Sequence, residues 1–310
     1  MAIIECAAVV ASNRRFLKKG ALQLADDAIG ECLERANRSA TDIDLLVNAG
    51  IYREKNLAEP ALAAMIQEDI GANPEQSSDD HSHGTFSFDV ANGGCGVVTA
   101  FEFVAGFIES KTIELGAVVA SDSNPGGVEA FPFPNAGGAV LLRPSPLGKG
   151  FTAFTSATFP EFSGNFESAI VWHPHAHPVF SEGTNVLAVA IGDEFTLRAS
   201  ECSEVVVRRF VEENGLGLGD IDLLIASTYP RTFAADLAKR LAFPSDRIAV
   251  PEDRFAGAHA VGAIASLDAA IRSGQFSRAR NVLFVTVGAG VTVAAALYRQ
   301  PSPDRILRGA

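Results

Sequence analysis

The sequence predicts an α/β protein made of two similar βαβ halves, and two observations carry that prediction. The hexapeptide Asp42-Ile43-Asp44-Leu45-Leu46-Val47 recurs 178 residues on as Asp220-Ile221-Asp222-Leu223-Leu224-Ile225, the kind of self-similarity that marks a duplicated fold. Each copy also follows a stretch with apolar residues at helical spacing, Leu22, Ala25, Ile29, Leu33 and Ala36 in the first half and Val207, Phe210, Val211 and Leu216 in the second.

Taken in chain order, the pattern begins with an apolar strand over Ile3 to Ala11 and a short basic connection, Ser12 to Gly20, holding Arg14, Arg15, Lys18 and Lys19. The first repeated helix and strand follow, and then a polar insert, Gln76 to His81, expected as a surface loop. Phe86 to Val90 reads as a strand that passes through Ala91-Asn92-Gly93-Gly94 to Cys95, where the apolar helix pattern Gly96 to Ile108 opens. That helix ends at Phe107-Ile108-Glu109-Ser110 before the strand Ala117-Val118-Val119-Ala120. The same order returns 163 residues later, with Ala270-Ile271-Arg272-Ser273 before Val282-Leu283-Phe284-Val285. Helices alternating with continuous apolar strands argue for parallel βαβ units with right-handed crossovers, covered on both faces. The division expected is 1–150 and 151–310, the halves packed as layers with a site at their junction.

Cys95 is the residue on which chemistry would turn. A thiol at a helix N-terminus gains from the macrodipole and from free backbone amides, both of which favour the nucleophilic thiolate; the alternative is a buried structural cysteine. By the second offset Cys95 corresponds to Ala258, one residue before His259, so two halves related by a pseudo-twofold would bring these helix starts together. His259 is then either a proton carrier working near neutral pH or a partly buried helix-cap histidine.

Composition narrows the class. With 310 residues and 47% hydrophobic content the chain can bury a large core, and a net charge of −12 argues against a broad nucleic-acid-binding face. No apolar run is long enough to span a membrane and the start lacks a basic signal region, from which a cytoplasmic location is expected. Cys6, Cys32, Cys95 and Cys202 form no close sequence pairs, which fits a reduced compartment. His173, His175 and His177 alternate as zinc ligands on a strand would, but Pro174 and Pro178 obstruct a strand and no fourth ligand is evident. That stretch is expected as an exposed loop, as are His81 and His83, with no metal site.

Four stretches together resemble the thiolase superfamily, and within it the β-ketoacyl-ACP synthase III type, over nearly the whole chain. They are Phe88-Asp89-Val90 through Cys95-Gly96; Phe133 to Leu142; Asp253-Arg254-Phe255-Ala256-Gly257; and Val282 to Val285 through Gly288-Ala289-Gly290 to Ala295-Ala296-Leu297. The resemblance implies a layered α/β/α/β/α fold, a homodimer and no cofactor. It also implies a Cys95 that takes an acyl group from a coenzyme A or acyl-carrier-protein thioester and passes it to a second substrate in fatty-acid-like or specialised metabolite assembly. The oxyanion of that step would meet the amides of Cys95 and of Gly288, Ala289 and Gly290, a turn that could equally be a strand end where glycine permits close packing.

Where the family usually places a histidine and an asparagine, this chain has Ser227 and Gly257. Ser227 and Thr228 could donate a hydrogen bond but cannot act as a base, and His259 is the available proton handler. Simple acyl transfer or hydrolysis therefore fits better than carbon–carbon condensation, and a catalytically inactive subunit partnering an active synthase is the alternative. The four cations of the Ser12–Gly20 connection could meet coenzyme A phosphates or an acidic carrier, or form a solvated turn.

Overall fold

The computed structural model describes residues 1–12, 19–53, 58–73, 84–125, 131–146, 148–173 and 184–300. The first half contains β1 (Ala2–Ala11), α1 (Ala21–Ala36), β2 (Leu45–Asn48), α2 (Leu62–Asp69), β3 (Phe86–Asp89), α3 (Gly96–Glu109), β4 (Gly116–Asp122) and β5 (Ala136–Pro144). The second contains β6 (Gly150–Thr158), β7 (Phe166–His173), β8 (Thr184–Ile191), α4 (Phe195–Glu213), β9 (Leu223–Ala226), α5 (Phe233–Leu241), α6 (Gly262–Arg272), α7 (Gln275–Arg278), β10 (Asn281–Gly288) and β11 (Thr292–Arg299).

One sheet runs β1-β5-β4-β2-β3 and the other β6-β11-β10-β9, so the order β1-β5-β4-β2 is repeated strand for strand. The expectation of purely parallel units is corrected here. Only β2–β3, β2–β4 and β9–β10 are parallel, while β1–β5, β4–β5, β6–β11 and β10–β11 are antiparallel. Among the described residues no helix separates β4 from β5 or β10 from β11, so those strands turn back on themselves, and a strand buried on both faces looks the same in sequence whichever way it runs.

The repeated hexapeptide has a local mechanical explanation. Asp42 and Asp220 close a 3-10 turn by accepting the amides of Ser39 (2.9 Å) and Gly217 (2.8 Å). Two residues on, Asp44 accepts the amides of Glu114 and Leu115 (2.6 and 2.9 Å), and Asp222 those of Arg280 and Asn281 (2.8 and 3.0 Å). Each pair of aspartates thus fixes the entry of one strand and the start of its neighbour. The hydrophobic residues that follow the second aspartate supply the strand.

Alternating strand residues divide into layers. Leu45 and Val47 face a core shared with Val97, Phe101 and Val104 of α3, Ile264 and Leu267 of α6, and Phe284 and Ala296 of the second sheet. Leu46 faces α1 and α2 on the outer side, and Leu224, Leu283 and Val285 face α4 and α5. The result is α/β/α/β/α, with α3 and α6 sandwiched between the sheets. A separate two-stranded ribbon, β7–β8, leaves Ile170, Val171 and Trp172 exposed. Trp172 and His173 belong to this strand rather than to the expected loop; His81, His83, His175, His177 and the Gln76–His81 insert lie outside the described residues. Among the described residues no cluster of side chains could hold a metal.

Candidate active site

The parallel strands β2 and β3 end at one edge of the first sheet, and the chain turns there through Asn92, Gly93 and Gly94 into α3. Gly93 adopts φ +51°, a left-handed conformation that favours glycine. Gly94 lies so close to the second sheet that a side-chain carbon on it would fall 2.3 Å from the Val287 carbonyl oxygen. These two glycines seat Cys95, the residue preceding α3, at the seam between the halves.

The sequence expectation about the state of that thiol is corrected. Cys95 is fully buried, and burial pushes its pKa up to about 12, because desolvation of the thiolate outweighs the hydrogen bonding around it. Its Sγ donates towards the carbonyls of Thr286 (3.6 Å) and Thr292 (3.4 Å), which retain the proton. Alkylation of Cys95 by iodoacetamide, followed by peptide mass spectrometry, is accordingly expected to accelerate across pH 7–10 without levelling. A plateau with a midpoint near about 8.5, the free-thiol value, would contradict this.

Gly288 closes β10 beside the thiol. A carbon added to it would lie 3.6 Å from Sγ, 3.4 Å from the Gly94 amide nitrogen and 3.6 Å from that of Cys95. The Cys95 amide itself donates to Asn92 O at 3.0 Å, and Ala289 is exposed. Gly290 forms the turn into β11 with φ +126°.

His259 lies three residues before α6, and its Cε1 is 3.9 Å from where a Gly93 side chain would begin. Its ring packs against Phe133 (4.7 Å between centroids), Tyr52 (5.0 Å) and Phe166 (6.0 Å). Burial lowers its pKa to about 4, so it is neutral at physiological pH, and Nδ1 has no hydrogen-bond partner among the described residues. No hydrogen bond is found between His259 and Cys95 among those residues.

The expected supporting hydroxyls are committed to backbone. Ser227 accepts the Val287 amide at 3.1 Å, and Thr228 donates to the carbonyls of Ala258 (3.0 Å) and Phe255 (3.2 Å). Gly257 has φ +86° and carries no side chain towards the thiol. Lys19 pairs with Asp27 of α1, while Arg14, Arg15 and Lys18 lie outside the described residues.

Sequence reasoning missed Asp122. It ends the buried strand β4, is itself fully buried, and accepts the amides of His259 (2.8 Å), Ala260 (3.0 Å) and Val261 (3.1 Å). The signal was present as an acid closing an otherwise apolar strand, next to where sites form in α/β sheets.

Two duplicated α/β/α layers closing over a cysteine at a helix start define a thiolase-like protein. Residues 211–300 match the family model for the C-terminal region of 3-oxoacyl-[acyl-carrier-protein] synthase III. A β-ketoacyl-[acyl-carrier-protein] synthase III of Koribacter versatilis is 25% identical over 307 residues, covering 93% of this chain and 86% of the relative. One from Xanthomonas campestris is 26% identical over 278 residues, covering 87% and 80%. The Aquifex aeolicus synthase III structure superposes with a TM-score of 0.77 at 19% identity, over 97% of this chain and all of that one. A Xanthomonas campestris OleA solved with lauric acid and lauroyl-CoA gives 0.76 at 13% identity, over 96% and 99%. Over nearly its whole length the chain is thus similar to β-ketoacyl-[acyl-carrier-protein] synthase III enzymes, and it shares their thiolase-like fold.

Proposed function

We propose that this chain is an acyltransferase that carries its acyl intermediate on Cys95. The thiol would displace coenzyme A or a carrier thiol from an acyl thioester, forming a new S–acyl bond while the departing sulfur takes up the released proton. A second substrate would then remove the acyl group, in fatty-acid-like or specialised metabolite assembly. The observation that carries the reading is the setting of Sγ: it is borne by α3 of one half, lies against β10 and β11 of the other, and has only the bare backbone of Gly288 on one side.

The chemistry favoured is transfer rather than carbon–carbon bond formation. Losing a single oxyanion-type donor typically costs about 2.7–4 kcal/mol in the transition state, and both Ser227 and Gly257 stand where the family resemblance leads one to expect stronger groups. His259, neutral and with Nδ1 free, is the proton carrier in this proposal.

Intact-protein mass after incubation with a panel of acyl-CoA and acyl-carrier thioesters tests the proposal. An acyl adduct is expected on the native chain and absent from Cys95→Ala; no adduct from any donor overturns it. The sealed, protonated thiol favours one second reading, a non-catalytic thiolase-like subunit, and a second thiolase-like chain that co-purifies and carries the adduct would support that reading.

A homodimer is part of the same proposal. The edge strand β3 presents Phe86, 60% exposed, and α3 presents Phe103, 46% exposed, with Phe88 between them. Sedimentation equilibrium is expected to give twice the chain mass, and Phe86→Asp to lower it; a native monomer at micromolar concentration would contradict this. All four cysteines are free thiols and no helix among the described residues is long and apolar enough to cross a membrane, which supports a reduced, cytoplasmic setting.

A further inference from the structure

We propose that Asp122 is the positioning residue of this site, a carboxylate from the first half that holds residues 259–261 of the second so that the His259 imidazole faces the Cys95 turn. The inference rests on the reading of His259 as proton carrier given above. A fully buried carboxylate is costly unless its lone pairs are satisfied, and among the described residues no cation pairs with Asp122. Its partners are instead three successive backbone amides, which also open α6, whose positive end adds to their attraction.

The placement of this carboxylate is more informative than its bonding. Helix α6 has Val261 at its N-cap, which supplies no side-chain cap, and a serine or aspartate there would have served the helix alone. The carboxylate that holds the lead-in to the helix comes instead from the last residue of β4, 137 to 139 positions away in sequence. Asp122 also forms a parallel bridge to Tyr52, and the amide of Ser123 donates to Tyr52 O at 3.3 Å. Tyr52 in turn packs on the imidazole. One strand end therefore sets both the backbone that carries His259 and a ring that packs against it. Because Nδ1 makes no hydrogen bond of its own, backbone anchoring and ring packing are what fix the imidazole.

Asp122→Asn tests this, since its amide group would point N–H donors at backbone N–H donors. Histidine-selective NMR of the full-length protein, with the His259 signals assigned by loss in His259→Gln, reads the imidazole directly and needs no turnover. In the native protein those signals are expected to stay fixed between about pH 5.5 and 8, and in Asp122→Asn to titrate towards the free-histidine value of about 6.5. The acyl-loading rate on Cys95 is expected to fall about tenfold or more in Asp122→Asn, and no further when His259→Gln is added. Asp122→Ser, whose shorter side chain removes the carboxylate without aiming an NH2 group at the backbone amides, replaces Asp122→Asn if the latter does not fold. An unchanged His259 spectrum together with a lowered melting temperature would reduce Asp122 to a structural anchor of the backbone before α6 and overturn the proposal. A shifted spectrum in a protein that never accepts an acyl group would leave the positioning role intact and remove the acyl-transfer reading instead.

Discussion

Gly94→Ala is expected to destabilise the protein by about 3 kcal/mol, the upper end of the usual range for overpacking, and to displace Cys95 from the seam. The added carbon would stand 2.3 Å from Val287 O and 3.3 Å from Val287 C. Both are backbone atoms of β10, which is held between β9 and β11, so no side chain can swing aside to make room. The neighbouring Gly93 already uses a left-handed conformation to make the turn. Gly106→Ala is the matched control, because it lies in α3 with nothing within 4 Å of the new carbon. There the gain in helix propensity should stabilise by about 0.5–1 kcal/mol. Urea unfolding of the two variants beside the native chain checks both, and a Gly94→Ala protein within about 0.5 kcal/mol of native, the scatter of neutral surface changes, would contradict the packing argument.

Acidification should reveal two opposed buried charges at the site. The folded pKa of His259, about 4, lies below the free value of 6.5. Its contribution is therefore present above pH 6.5 and lost as the pH falls towards 4, by about 3 kcal/mol at 1.36 kcal/mol per unit. Burial raises Asp122 from 3.8 to about 6. Its contribution has the opposite sense, being present below pH 3.8 and lost as the pH rises through 6, again by about 3 kcal/mol. In the native chain the two nearly cancel between pH 7 and 4. Removing His259 exposes the other: relative to native, His259→Gln should gain stability on acidification over that range, whereas Asp122→Asn, which also releases the imidazole to its free value, should stay close to the native curve. Chemical unfolding at pH 7, 5.5 and 4.5 measures the divergence, the remaining carboxylates forming a background common to all three proteins. A His259→Gln curve that follows the native one within about 1 kcal/mol, less than one shifted unit, would show that Asp122 is not buried as described.

Much of the architecture was legible because its determinants are local. The Asp-Ile-Asp repeat announced the duplication because each aspartate performs the same capping task beside its own strand. The helix expected from Gly96 to Ile108 runs from Gly96 to Glu109, since its apolar pattern and its glycine-rich entry are written in consecutive residues. Strand direction was not legible. Antiparallel β5 and β11 carry the same unbroken apolar runs as parallel strands, because what the sequence encodes is burial on both faces.

The state of the site belongs to the second category. A cysteine at a helix start is visible in sequence, but whether its thiol is ionised depends on how much water reaches it. That is decided by β10 and β11, whose carbonyls accept its proton from residues 191 and 197 positions away. Asp122 and His259 likewise meet only across the fold. The chain alone determined the repeated order of helix and strand and placed a cysteine at a helix start. Tertiary packing decided the protonation of that residue and the partners around it, because desolvation depends on which distant surfaces close over a group, and no local pattern of residues records that.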